Sequence, residues 1–193
     1  FDKFEIRAMA GFRGIHDSII LRKDNIPTVY KPTTFGTGEG GSNVVLGAEI
    51  GMLWNFPVET DGNKFQYGLL TGIWPVDGSV FIPAALHLRY TFKPVPNVFS
   101  YDCCPICDCG TFYIFGDFGF PIDFKTKAKI PGDRLFWGIG LGYDFAISCG
   151  LDFSIDAGYR MMNLPLTETA CCGNYHNFYR KSHLGFLRLG LTF

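Results

Sequence analysis

Seven cysteines carry the most concentrated chemistry in this 193-residue chain. Four stand in Cys103-Cys104-Pro-Ile-Cys107-Asp-Cys109, one is Cys149, and two form the adjacent pair Cys171-Cys172. The Cys104-Pro-Ile-Cys107 spacing is that of a redox pair or a zinc knuckle. A thioredoxin-like pair needs a helix at that point, and the surroundings read as a turn. A zinc site needs four deprotonated ligands. Spacing alone leaves disulfides within the chain, crosslinks to another protein and a metal site all open, and the odd total leaves at least one thiol unpaired within the chain.

Nucleophilic chemistry has weaker candidates. His16-Asp17-Ser18 sets a base, an acid and a hydroxyl side by side, His176 and His183 flank the last apolar segment, and Ser182 adjoins His183. Catalysis needs hydroxyl and base within hydrogen-bonding reach in the fold, and neighbours in a loop are not a triad. No recognisable lipase or deacylase serine motif is present, so no catalytic residue is assigned. Gly36-Thr-Gly-Glu-Gly-Gly41 has the composition of a phosphate cradle, but the stretch from Val44 onward reads as a strand, and the required helix N-terminus is missing. That segment is expected to be a flexible external loop, and neither a cofactor nor a metal ligand set is assigned.

The elements that must position these groups follow from composition and period. Hydrophobic residues make up 47% of the chain and aromatics 17%, against 18% charged, where a soluble domain has about 25% charged. Such a chain is not disordered. Its longest stretch without Asp, Glu, Lys or Arg is Phe65 to Val76, 12 residues, too short for a spanning helix of about 20. A net charge of -1 gives no electrostatic reason to expect nucleic acid as a partner.

Apolar residues alternate with small or polar ones at the strand period of two over eight runs: Phe4 to Arg13, Val44 to Phe56, Phe65 to Trp74, Phe81 to Phe92, Phe112 to Asp123, Arg134 to Ala146, Leu151 to Met161 and Leu184 to Phe193. One face of each run is free of charge. The other carries Glu5, Arg7, Arg13, Glu49, Arg89, Asp117, Asp123, Arg134, Asp144, Asp152, Asp156, Arg160 and Arg188, with His87 and many glycines such as Gly138, Gly140 and Gly142. A soluble sandwich would pack the apolar faces together; a membrane barrel would turn them to lipid and line a narrow interior with the polar ones. The charged face holds no Lys, which a solvated sheet would use to protect its edges. It is also rich in Gly, poor material for an exposed strand surface. Aromatics of the apolar face gather at two levels, Trp54, Phe56, Phe65, Tyr67, Tyr90, Phe92, Phe112, Tyr143, Phe145 and Phe193 at one, Phe12, Phe120, Trp137 and Tyr159 at the other, as interfacial girdles do. The expected fold is all-β, an eight-stranded antiparallel up-and-down transmembrane β-barrel in a single domain over 1–193.

In this pattern of strands, and in the alternating ending His183-Leu-Gly-Phe-Leu-Arg-Leu-Gly-Leu-Thr-Phe193, the chain resembles the small eight-stranded bacterial outer-membrane barrels of the OmpA/OmpX type. The resemblance implies the outer membrane of a double-membraned bacterium, a precursor with a cleaved signal peptide, and Phe193 as the signal read by the barrel-assembly machinery. Phe1 is then expected at or near the mature N-terminus. By the same analogy both termini are periplasmic, residues 14–43, 75–80, 124–133 and 162–183 are external loops, and 57–64, 93–111 and 147–150 are internal turns. Segment 93–111 is longer than the family's usual turns. An oxidising periplasm favours disulfides, and Cys149, in the next internal turn, would reach the cluster at 103–109.

An eight-stranded interior is just filled by side chains. Six arginines against seven acids then make a paired-charge plug, the reading carried forward: a non-catalytic scaffold or surface-contact protein meeting outer-membrane lipid and, through external loops or the Cys-rich turn, an envelope protein. A narrow ion or solute channel and a lipid-modifying enzyme are the alternatives.

Overall fold

A strand of alternating residues buries one face and leaves the other outward, and its unpaired backbone edge must find a partner. In hydrocarbon, which offers no water to an open edge, only a closed sheet meets both demands. The computed structural model describes residues 2–13, 18–23, 26–30, 44–57, 62–76, 79–92, 110–123, 135–148, 150–165 and 178–193. It contains β1 (Lys3–Arg13), β2 (Ser18–Lys23), β3 (Ile26–Tyr30), β4 (Val44–Asn55), β5 (Lys64–Val76), β6 (Ser79–Thr91), β7 (Thr111–Asp123), β8 (Phe136–Ser148), β9 (Leu151–Pro165) and β10 (Phe178–Thr192).

Eight of these form the barrel. Sequential antiparallel neighbours β1, β4, β5, β6, β7, β8, β9 and β10 pair in order, and β1 pairs with β10 to close the ring. The seam runs from Glu5 opposite Thr192 to Arg13 opposite Leu184, and its ladder continues through Phe193 N to Phe4 O at 2.8 Å and Phe4 N to Phe193 O at 3.0 Å. The sandwich alternative is thereby excluded, because the apolar faces do not pack on one another. Leu46, Leu69, Phe112, Ile139 and Leu141 stand outward and exposed, while Glu5, Arg7, Glu49, Arg89, Asp117, Asp156, Arg160 and Arg188 are buried inside. So large an exposed apolar surface is not tolerated in water; on a closed barrel it is the lipid-facing band.

The strands run longer than the alternation suggests at the rim opposite the termini. β9 continues to Pro165 and β10 begins at Phe178, so the connection expected over 162–183 narrows to 166–177, and that expected over 75–80 narrows to 77–78. The outward apolar signal fades there through Asn163, Lys181 and His183, as it must where a strand leaves hydrocarbon. The segment 14–43, expected as a loop, holds the β2–β3 hairpin, and β2 adds to β10 through Phe178 to Lys181. At the opposite end Gly150 turns β8 into β9 at φ 88, a left-handed conformation that glycine adopts without a Cβ clash.

Aromatic rings form a nearly continuous girdle at the termini end: Trp54 and Tyr67 stack at 6.0 Å, Phe112 and Tyr143 meet at 4.5 Å, Tyr143 and Phe145 at 4.6 Å, and Phe4 and Phe193 at 6.5 Å. Leu189 lies midway along the outward apolar stretch from Gly185 to Phe193. Leu189→Arg is expected to destabilise the barrel by about 2–4 kcal/mol in urea titrations in phosphatidylcholine vesicles. A loss close to zero would mean that this face does not meet lipid.

Candidate functional site in the barrel interior

Turning the charged face inward creates the problem that the interior must solve, since an unpaired buried charge costs several kcal/mol. The solution joins all eight barrel strands. Arg160 on β9 reaches across the lumen, donating to Glu49 Oε1 on β4 at 2.8 Å and to Asp117 Oδ2 on β7 at 2.8 Å. Arg188 on β10 donates to Glu49 Oε2 at 3.0 Å, Asp117 Oδ2 at 3.3 Å and Asp156 Oδ2 at 3.0 Å. Arg89 on β6 donates to Glu5 Oε1 on β1 at 2.8 Å and to Asp144 on β8. Arg7 meets Glu5 at 2.5 Å and Asp156 at 3.6 Å as ion pairs rather than aligned hydrogen bonds. Trp74 on β5 donates its indole N–H to Glu49 at 3.0 Å, and His87 Nδ1 lies 2.5 Å from Asp117 Oδ1.

Among the described residues, five buried carboxylates, Glu5, Glu49, Asp117, Asp144 and Asp156, face four buried guanidiniums, with His87 beside Asp117. Lys3 enters from the mouth and reaches Asp152 at 3.2 Å and Asp144 at 3.9 Å. Asp152, expected within the interior network, therefore sits at its half-open end. Arg13 and Asp123 are described in backbone alone, and Arg134 lies outside the described residues.

Aromatic rings and glycines complete the packing. Beside the girdle aromatics of the apolar face, a second set that the sequence reading did not single out, Trp74, Tyr113, Phe115, Phe136 and Phe186, points inward as platforms for the arginines. Arg89 lies 3.5 Å from the Tyr113 ring centre, Arg188 4.2 Å from Phe115, and Arg160 4.4 Å from Trp74 and 4.8 Å from Phe186. Such contacts recover part of the attraction lost on dehydrating a guanidinium. The inner glycines make room for them. A Cβ at Gly142 would collide with the Tyr113 ring and the Asp156 carboxylate, and one at Gly140 with Phe115 and, at 2.5 Å, the Ala157 carbonyl. A usable signal was present: these rings share the parity of the charges on their own strands, and Tyr113 and Phe115 pair across the ladder with Gly142 and Gly140.

The lumen is thus layered from the termini end outward. A polar mouth of about 150 Å³ is bordered by Lys3, Asn55, Gln66, Thr91, Asp144 and Asp152. The charge network comes next. Beyond it Met9, Val45, Trp74, Phe81, Phe136, Met162 and Leu184 form a buried apolar layer, with Trp74 edge-on to Phe136 at 5.0 Å.

Other candidates are placed as follows. Ser182 is buried inward, whereas His183 lies on the outward face and is hydrogen-bonded through Nδ1 to the Tyr159 hydroxyl; neighbours on opposite faces of one strand do not form a nucleophile and base. Ser18 is described in backbone alone, and His16, Asp17, His176, the Gly36–Gly41 segment and Cys103, Cys104, Cys107, Cys109, Cys149, Cys171 and Cys172 lie outside the described residues.

Glu49→Ala leaves Arg160, Arg188 and the Trp74 indole without their shared acceptor, and is expected to cost about 3–5 kcal/mol in urea unfolding from vesicles. Asp152→Ala breaks only the half-exposed pair with Lys3, expected within about 1 kcal/mol. Equal losses would contradict the layered interior.

No family model matches the chain, and no curated protein matches it by sequence. Among solved structures the chain is similar to the N-terminal β-barrel domain of Pseudomonas aeruginosa OprF, at 13% identity and TM-score 0.44, covering 100% of this chain and 98% of that one. It is similar to Neisserial surface protein A at 11% identity and TM-score 0.40, covering 98% and 95%, and to the outer membrane enzyme PagL at 13% and 0.36, covering 90% and 97%.

Proposed function

We propose that the chain is an integral barrel of a bacterial outer membrane, delivered as a signal-bearing precursor, that works as a non-catalytic scaffold or surface-contact protein. The observation that carries this reading is the sealed interior. A solute entering at the polar mouth meets a network in which arginine and carboxylate neutralise each other, and then an apolar layer that offers a dehydrated ion no partner. Work is left to the surfaces. The rim opposite the termini extends beyond the apolar band through β9, β10 and the added β2–β3 hairpin, which gives a partner a firm platform. The cysteine-bearing segment at the other end supplies a second contact, through disulfides within the chain or to an envelope protein.

Two measurements test the proposal. Reconstituted into planar bilayers, the protein is expected to show no reproducible unitary conductance, and steady single-channel steps would favour the channel alternative. Extracted in mild detergent, it is expected to bring down an envelope protein in fixed proportion, and shortening segment 166–177 or the segment 93–109 is expected to release it. Purification as a lone barrel from whole envelopes, with cysteines intact, would sink the scaffold reading.

A further inference from the structure

A barrel in hydrocarbon must satisfy its backbone donors and acceptors from its own ladders, and proline brings no N–H to a strand paired on both sides. Pro75 of β5, Pro83 of β6 and Pro121 of β7 stand in such strands. Register shows which neighbour is left without a donor. The N–H and C=O of a strand residue point to one neighbour, and opposed residues alternate between hydrogen-bonded and non-hydrogen-bonded sites. Pro83 lies opposite Pro121, and two prolines cannot exchange N–H bonds, so that site is a non-hydrogen-bonded one. The backbone of Pro83 therefore faces β5, where the register set by Thr71 opposite Ala84 continues to Gly72. By the same alternation Gly72, Trp74 and Val76 face β6, while Thr71, Ile73 and Pro75 face β4.

The ladders break off where those donors are missing. β5 pairs with β6 as far as Thr71 opposite Ala84 and resumes only at Trp74 opposite Phe81. With β4 it pairs as far as Ile73 opposite Ala48, although β5 runs on to Val76 and β4 begins at Val44. By contrast β9 and β10 pair without a break from Asp152 opposite Thr192 to Pro165 opposite Tyr179. Among the described residues, then, the outer end of β5 makes no ladder pair with β4 beyond Ile73 and is tied to β6 through Trp74 and Val76. A side chain supplies what the ladder lacks. Trp74 is buried inward, donating its indole N–H to Glu49 at 3.0 Å, meeting Phe136 edge-on at 5.0 Å and lying 4.4 Å from the Arg160 guanidinium. Outside, Thr71 and Ala84 border an apolar groove of about 530 Å³ between Leu69, Leu86, Phe118 and Phe120, so no bulky outer side chain braces the foot of this segment.

We propose that Gly72–Val76 is a strap in the barrel wall, latched by Trp74, that parts from β4 and β6 while the rest of the ring stays closed and so opens the apolar layer sideways to hydrocarbon. Parting breaks few ladder bonds, and the surfaces it bares on Trp74, Phe81 and Leu70 meet lipid, which is as apolar as they are. Gly72 at the base has no side chain to resist the swing. The path of a solute along the lumen stays closed, because the charge network lies between the mouth and the strap. The inference rests on the membrane placement proposed above and adds a moving part to it.

The test is amide relaxation dispersion on the full chain in phosphatidylcholine nanodiscs, with heat-modifiable gel mobility read on the same samples. Ile73, Trp74 and Val76 are expected to exchange between two states on the microsecond to millisecond scale, and Arg160 and Leu184, opposite one another in the unbroken β9–β10 ladder, are expected to show none. Pro75→Val restores a donor toward β4 from an outward position, and Pro83→Ala restores one toward β5. Each is expected to lower the population of the open state about two- to tenfold, the worth of one hydrogen bond. Trp74→Phe, which loses the indole N–H, is expected to raise it by a similar factor. Flat dispersion at Ile73, Trp74 and Val76 in the unaltered protein, or an unchanged open population in Pro75→Val, overturns the strap while leaving the barrel intact; should Pro83→Ala fail to fold, Pro75→Val decides. Absence of any heat-modifiable species overturns the membrane reading, and the lateral opening with it.

Discussion

The structure depends on one constraint: a wall that is apolar outside must keep its charges inside, and charges inside must satisfy one another. Low dielectric makes both halves of that statement costly to violate. Glu49 shows how it is met. Its two oxygens receive Arg160, Arg188 and the Trp74 indole, so one carboxylate from β4 anchors side chains of β5, β9 and β10. Asp117 does the same from β7 for Arg160, Arg188 and His87. Backbone ladders hold each strand to its neighbours; through Arg160 and Arg188 these two carboxylates also join β4 and β7 to β9 and β10, strands with which they share no ladder.

The remaining composition follows from that. Guanidiniums are planar and weakly hydrated for their charge, and they stack on rings, so the interior uses Arg with Tyr113, Phe115, Trp74 and Phe186 rather than Lys. The one described lysine that reaches an interior carboxylate, Lys3, does so from the mouth. An eight-stranded lumen has no spare volume, and each large ring needs a partner of no size across the ladder. The glycine content is the spatial counterpart of the arginine–aromatic stacks.

Much of this was legible in the chain. The period of two and the absence of charge from one face fix which residues point together, and the structure turns the face with Glu5, Arg7, Glu49, Arg89 and Asp117 inward. What was not legible has physical reasons. The inner aromatics were not singled out because hydrophobicity does not say whether a ring meets lipid or a guanidinium. The β2–β3 hairpin and the ends of β9 and β10 were read as loops because strands outside hydrocarbon lose the alternation that marks them. Ser182 and His183 looked like a chemical pair by adjacency, and the same period of two separates them.

If cross-barrel ion pairs hold the interior together, residues far apart in the ladder must be energetically coupled. Glu5 on β1 and Arg89 on β6, with β4 and β5 between them, are such a pair. A double-mutant cycle with Glu5→Gln and Arg89→Met, read by reversible urea unfolding in lipid vesicles, measures that coupling directly. The account predicts an interaction energy of about 1–3 kcal/mol, with the double variant less damaged than the sum of the single ones. Additive losses would contradict it and leave the barrel held by its backbone ladder and packing alone.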